Sequence, residues 1–599
     1  FLGIAAMRII LPAFLALTLA ACGGEEEPAD TDTSAPTGEV AADPDGSGLP
    51  EAVEREVSGQ WAVASANPLA TEAGAEILRQ GGTAVDAAIT VQTVLSLVEP
   101  QSSGLGGGGF MLYYDAQSGV ITAYDGREVA PFSADPAMFL KEDGTRKSYR
   151  EAISSGKAVG VPATVAMLDL AHREHGRLEW GTLFDEPVRL ATEGFAVPPR
   201  LGKALPRSAD LLKQDDTAAE LFFSENGNVL AEGDMFTNPY FAETVTTIAE
   251  NGAGAFYSGE IAQEIVDTVN ARAGNGYMTL EDVFEYEPVA RQPVCASFKT
   301  YEICTMGPPS SALAMLQTLG MLEARGLPDN PGGDLWVAYA EAGRLAYADR
   351  AEYLGDPTAM GSPTVDSREV AEALVAGDYL ADRAQLIGTF AAEEVSHGDP
   401  LEGRLEDRAA DLGEDVPGTS HFSIRDSYGN IVSMTGTIEG AFGSHIMAGG
   451  MFLNNELTDF SWMPQIDGKD VVNAVGPGKR PRSSMTPSIV LDQDGQPVAA
   501  IGSAGGANII GHVTKTLLLA LGYDMPWQEA IDAPHVTTRV GTIYLEDTAP
   551  EGYVTALEGY GHNVRVRELN SSLHGFRLDG GKVECGADSR RDGTCLSGN

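Results

Sequence analysis

The chain is short of positive charge. Its 599 residues include 39 Lys and Arg against 86 Asp and Glu, a formal net charge of -47. With no basic surplus to neutralise phosphates, nucleic-acid partners are excluded. The acidic excess bears on solubility, and on a salty or acidic habitat, not on fold. Cysteine is scarce as well: five residues, none spaced Cys-x-x-Cys, and the nine histidines fall at no ligand spacing. No zinc site is expected. No glycine-rich loop ends in Gly-Lys-Ser/Thr, and no internal repeat occurs. The run "SGLGGGGF" leads into a strand, whereas a phosphate cradle needs a helix N-terminus. No metal and no cofactor are expected.

Apolar residues make up 43% and charged residues 21%, which is globular composition. The length exceeds one ordinary core and implies several domains or one large layered body. Met7-Arg8, the apolar run Ile9 to Ala20 and the small residues that follow describe a secretory signal, too short to span a bilayer comfortably. "LTLAACGG" is similar to a bacterial lipoprotein signal, so residues 1–22 are read as a signal with Cys22 as the lipidated first mature residue; an ordinary signal with an incidental cysteine is the alternative. An exported, periplasmic, membrane-anchored protein is expected. Residues 23–50 are acidic and rich in Pro, Thr and Ser, a disordered linker. In an exported protein the remaining cysteines form two local disulfides: Cys295 with Cys304 across a strand–turn–strand, and Cys585 with Cys595 around a polar loop.

Residues 51 to about 130 alternate strands and helices, and 150 to 400 are mostly helical. "DLWVAYAEAGRLAYADRAEYL" predicts a long amphipathic helix, and Pro400 to Gly418 an exposed linker. Then the texture changes. "HFSIRDSYGNIVSMTGTI" predicts a β-hairpin, and "GGMFLNNELTDFSW" and "SSMTPSIVLDQDGQPVAAIGSAGG" predict further strands. The break falls at Gly418-Thr419. A cut there gives Thr419 a free α-amino group, whose intrinsic pKa is about 7.7–8.0. That amine takes the proton as the adjacent hydroxyl attacks, so one residue supplies nucleophile and base. The uncut chain makes the cut itself when the Thr419 hydroxyl attacks the Gly418 carbonyl, which glycine leaves sterically open. Period-two alternation puts Ser433, Thr435, Thr437 and Glu439 on one face of the next strand.

With "GLGGGGF", "DGREVAP", "GPPSSA", "FLNNELTDF", "KRPRSSMTPSIV" and "GSAGGANII" in order, the chain resembles the γ-glutamyltransferase family of N-terminal-nucleophile hydrolases from about Ala62 to Leu596. The resemblance implies an α+β fold, a four-layer αββα sandwich with two stacked sheets between helices. It implies self-cleavage into a large subunit, 51–418 of the folded part, and a small subunit, 419–599, held as a heterodimer. It makes Thr419 the nucleophile, tuned by Thr437, with the Gly505 and Gly506 amides as oxyanion hole. Arg127, Ser483 and Ser484 would hold the substrate α-carboxylate, and Glu456 and Asp459 its α-ammonium. The small-molecule substrates implied are glutathione and other γ-glutamyl compounds, with amino acids, peptides or water as acceptors. Two features depart from the family pattern: Glu439 stands where well-known members carry Asn, and the lid between Phe460 and Asn473 is short and lacks its tyrosine. A third carboxylate strengthens amine binding or, by crowding, stays neutral; an open lid favours water over transfer. Two rivals follow. One is a related amidase such as a glutaryl-cephalosporin-type acylase. The other is a non-catalytic surface lipoprotein.

Overall fold

The computed structural model describes residues 60–599 except 407, 412, 414–417 and 581. The signal-like segment with Cys22, the acidic stretch 23–50 and most of the approach to Gly418 lie outside the described residues. Two antiparallel sheets carry the architecture. The first runs Thr594–Gly598, Trp61–Ser65, Ser420–Arg425, Ile431–Thr437, Gly108–Asp115, Val120–Gly126, Val289–Arg291. The second runs Lys582–Ala587, His574–Asp579, Pro497–Gly502, Ser488–Leu491, Tyr301–Thr305, Val294–Phe298. Strands from before and after Gly418 mix in both sheets, so each sheet needs both halves of the chain.

The sheets stack through the predicted hairpin. Ser423 and Ser433 reach across to the carbonyls of His574 and Ile501, each at 3.2 Å. On the opposite face Phe422, Ile424, Val432 and Met434 join one core with helices Pro68–Arg79 and Ala84–Val98. Helices Leu313–Arg325, Gly333–Tyr353 and Ile509–Gly522 share a second core with the second sheet. This is the expected helix–sheet–sheet–helix order. Local sequence starts the first helices. Asn67 accepts from the Leu69 amide with Pro68 at the first helical position, and Thr83 with Asp86 forms a capping box.

The glycine run 106–109 has a packing reason. A Cβ on Gly107 would lie 2.0 Å from the Thr437 carbonyl oxygen, and one on Gly109 2.5 Å from that of Thr435. Only glycine lets these strands close over the end of Ile431–Thr437.

Several expectations need correction. Helix Gly333–Tyr353 is not amphipathic; it is buried from Leu335 to Tyr353. Its charges are matched inside, Arg344 to Glu341 at 2.6 Å and Asp349 to Arg383 at 3.0 Å, so they mark no solvent face. The stretch before Gly418 is not an exposed linker where it is described. Asp411 pairs with Arg482 at 3.0 Å and its amide donates to Ala351, while Arg408 donates to the carbonyls of Ala359 and Gly361 at 2.7 Å. The strand expected around Phe452 shrinks to Met451–Phe452. Asn454 ends it, donating to the Gly106 and Gly160 carbonyls at 2.9 Å and accepting from the Gly160 amide at 2.9 Å. Cys295 and Cys304 are bonded across a paired register, and Cys585 is bonded to Cys595. The latter do not bracket a simple loop. Cys585 lies on the second sheet and Cys595 on the first, so their bond ties the sheets together.

Candidate active site

Thr419 stands one residue before strand Ser420–Arg425 and is buried. Its φ is +149°, a conformation that β-branched residues rarely adopt. This torsion involves the Gly418 carbonyl carbon, so breaking the Gly418–Thr419 bond removes the constraint. The Thr419 hydroxyl donates to the hydroxyl of Thr437, the last residue of the partner strand, at 3.3 Å. The Glu439 amide donates to Thr437 Oγ1 at 2.8 Å and fixes it from the other side. A Cβ on Gly418 would lie 2.0 Å from the Glu439 carbonyl oxygen.

Glu439 is not on the strand face predicted for it. The strand ends at Thr437, and Glu439 sits in a turn at φ +74°. Ser433, Thr435 and Thr437 keep the alternation; Glu439 reaches the same cavity by a left-handed bend. Glu456 and Asp459 arrive on the short 3-10 turn Glu456–Asp459, not on a strand.

One cavity brings together Arg127, Gly418, Thr419, Thr437, Glu439, Glu456, Asp459, Ser483, Ser484 and Gly506. Its free volume is about 20 Å³, the room of a single water. Arg127, just past strand Val120–Gly126, is fully buried. It donates to Glu456, to Asp459 at 2.5 Å and to the carbonyls of Pro481 and Arg482 at 3.1 and 2.9 Å. Burial works against its charge, but Glu456, Asp459 and Glu128 outweigh that and raise its pKa. Burial lifts Glu128 to about 8, and lifts Glu439 well above the carboxylate range with help from Asp459 and Glu456. One guanidinium does not balance four crowded carboxylates, so Glu128 and Glu439 carry protons. Burial raises Glu456 to about 8 as well, against the downward pull of its contact with Arg127.

Ser483 and Ser484 are held from behind by the "GPPSSA" segment. Ser311 donates its amide and hydroxyl to the Ser483 carbonyl at 2.8 and 2.5 Å, and Arg350 donates to Ser484 Oγ at 2.9 Å. Gly506 opens the turn leading to helix Ile509–Gly522, with φ +59°, and Gly505 precedes it at +129°. Gly506 lines the cavity; Gly505 packs behind it against His512. Amides at a helix start favour negative charge. Sequence reasoning missed three supports. Tyr149 donates to Glu439 at 2.9 Å, Arg350 holds Ser484, and Glu128 is buried beside Arg127 at 3.9 Å. Glu128 lies inside a recognised motif, "DGREVAP"; nothing in the local sequence marks Tyr149 or Arg350.

Comparison with known proteins is consistent along the chain. The profile of the gamma-glutamyltranspeptidase family matches residues 70–597. The glutathione hydrolase proenzyme of Bacillus subtilis (strain 168) is 37% identical over 552 residues, 90% of this chain and 91% of that protein. Among solved structures, cephalosporin acylase from Bacillus halodurans superposes with a TM-score of 0.78 at 25% identity, covering 92% of this chain and 98% of that one. Helicobacter pylori gamma-glutamyltranspeptidase superposes with a TM-score of 0.52 at 30% identity, covering 57% of this chain and 96% of that one.

Proposed function

The chain belongs to the gamma-glutamyltranspeptidase family, and on that premise we propose that it cuts itself at Gly418–Thr419 and then works through an ester on Thr419. It is an enzyme, a self-processing γ-glutamyl hydrolase and transferase of large and small subunits. Glutathione and its conjugates are the donors we assign.

In self-cleavage, Thr419 Oγ1 adds to the Gly418 carbonyl carbon and the bond to the Thr419 nitrogen breaks. An ester joins the halves, with the Thr419 amine already free, until water splits it into a Gly418 carboxylate and the Thr419 hydroxyl. In turnover that amine accepts the hydroxyl proton while Oγ1 attacks the γ-carbonyl, and it returns the proton to the departing amine. The negative oxygen faces the amides of Gly505 and Gly506. Water or an amino group then takes the acyl group from the ester.

The reading rests on one observation: threonine, glycine amide, buried arginine and carboxylates converge on a single cavity. Arg127 takes the α-carboxylate, bidentate by its planar fork, with Ser483 and Ser484 beside it. Glu456, Asp459 and Glu439 take the α-ammonium. The acylase reading has the likeness to the Bacillus halodurans enzyme in its favour. A glutaryl group, however, brings no ammonium to offset three carboxyl groups. Export is supported by the two disulfides, and a lipid anchor on Cys22 is part of the same proposal.

The test is the intact mass of purified protein beside Thr419→Ala, followed by turnover of γ-glutamyl- and glutaryl-p-nitroanilide. We expect two fragments with Thr419 at the new N-terminus, one uncut chain for the variant, and preference for the γ-glutamyl compound. A wild-type chain that stays whole overturns the mechanism; preference for the glutaryl compound selects the acylase.

A further inference from the structure

A buried cation without an ionic partner sits directly behind the nucleophile. Arg591 donates to the Thr419 carbonyl at 3.1 Å. Its other hydrogen bonds go to Asn570, the side-chain oxygen at 3.0 Å and the backbone oxygen at 3.1 Å. All three acceptors are neutral, and among the described residues no carboxylate lies within ion-pair distance of it.

The neighbouring acids are engaged elsewhere. Glu99 accepts from Ser420 at 2.8 Å and faces Arg200 at 3.4 Å. Asp588 pairs with Arg590 at 3.1 Å and accepts from Ser571. With Asp592 they attract Arg591 only at longer range, while Arg200 repels it. Burial dominates and brings the Arg591 pKa down to about 9, which still leaves it charged at neutral pH.

On the other side of Thr419 one guanidinium, Arg127, faces two carboxylates, Glu456 and Asp459, and Glu439 carries its proton. His421, two residues along, is kept neutral by burial. The charged side chain that bonds Thr419 itself is the Arg591 guanidinium.

We propose that Arg591 is a positioning residue that orients Thr419 through its carbonyl and, by its charge, keeps the freed α-amino group unprotonated at neutral pH. This rests on the Thr419 reading above. Carbonyl and amine belong to one residue, so the guanidinium stands roughly 5–7 Å from the amine by backbone dimensions. A like charge at that distance disfavours the ammonium form and moves the amine below its ordinary range. A base that is free at pH 7 is what the attack on the γ-carbonyl needs.

The experiment follows the acid limb of kcat/KM for γ-glutamyl-p-nitroanilide in the mature wild type and in Arg591→Gln, Arg591→Lys and Arg200→Gln. The limb reports the amine of the free enzyme. We expect Arg591→Gln to move it up by about one pH unit. Arg591→Lys should leave it in place, because the charge remains. Arg200→Gln, on a partly exposed helix, should move it up by a smaller amount. An unmoved limb in Arg591→Gln overturns the proposal, as does an equal shift in Arg591→Lys. A folded but uncut Arg591→Gln supports the orienting role, and Arg200→Gln then tests the charge, where no shift overturns the proposal. Should Arg591→Gln not fold, Arg200→Gln decides: an upward shift supports the proposal and no shift overturns it. Failure of the Thr419 reading is separate, because then the wild type itself is uncut.

Discussion

Arg127 and Asp459 face each other at 2.5 Å inside a cavity with room for one water. Under the proposed function, the cation that takes a substrate carboxylate and the anions that take its ammonium are, in this chain, each other's partners. A zwitterion restores both charges with partners of its own, whereas a ligand with one charged end leaves the other buried and unmatched. Arg127→Lys keeps the charge but loses the planar fork. The expected outcome is a fall in kcat/KM for γ-glutamyl-p-nitroanilide of about a hundredfold, carried mostly by KM, on the scale of lost charge-assisted bonds. An unchanged KM would remove Arg127 from substrate recognition.

Glu439 carries its proton in the fold because burial and the neighbouring carboxylates raise its pKa. In the unfolded chain it loses that proton near the ordinary carboxylate pKa. Its contribution to stability is therefore complete at low pH and declines as pH rises toward the folded value. Glutamine has no proton to lose. In the uncut Thr419→Ala background, the urea midpoint of Glu439→Gln relative to its parent should improve steadily from pH 5 to pH 8. A difference that stays flat means that Glu439 is ionised in the fold.

The layers and the place of Thr419 at the mouth of a strand were legible in the sequence because they rest on local signals. Period-two strands, the capping residues Asn67 and Thr83, and a glycine before a Thr-Ser pair are all short-range. Glu439 reached the right cavity by a route that alternation does not encode, a left-handed turn that its type gives no reason to expect. The helix Gly333–Tyr353 misled because charged residues at intervals look the same whether they face water or buried partners such as Arg383. Tyr149, Arg350 and Arg591 were invisible for a related reason. Each acts across 134 to 290 residues of chain, on Ser484, Glu439 or Thr419.

The bond between Cys585 and Cys595 joins neighbouring strands of different sheets. It closes a short loop, with a sequence separation of 10, for which chain entropy gives about 3 kcal/mol. Cys595→Ser should lower the melting temperature by several degrees while leaving kcat at 25 °C close to wild type, since no active-site residue lies on either strand. Thermal unfolding of the oxidised and reduced enzyme checks it. Equal melting temperatures would mean that the sheets hold together without the tie.

Gly418 has a steric task as well as a chemical one. A Cβ there would meet the Glu439 carbonyl oxygen at 2.0 Å, and both flanking groups are fixed: Thr437 holds the Glu439 amide, and Thr419 reaches for the Thr437 hydroxyl. The neighbour is backbone, so it has no side-chain rotation to give. Gly418→Ala therefore pushes the scissile carbonyl and the attacking hydroxyl out of register. A displacement of that size at a reacting centre slows attack by about a hundredfold, and the overpacking lowers stability by about 1–3 kcal/mol. The uncut chain should accumulate as a folded species, visible by intact mass over hours during which the wild type is fully cut. Cutting at the wild-type rate would show that the Glu439 turn moves freely, and would take from it the role of holding Thr437 and Thr419 in line.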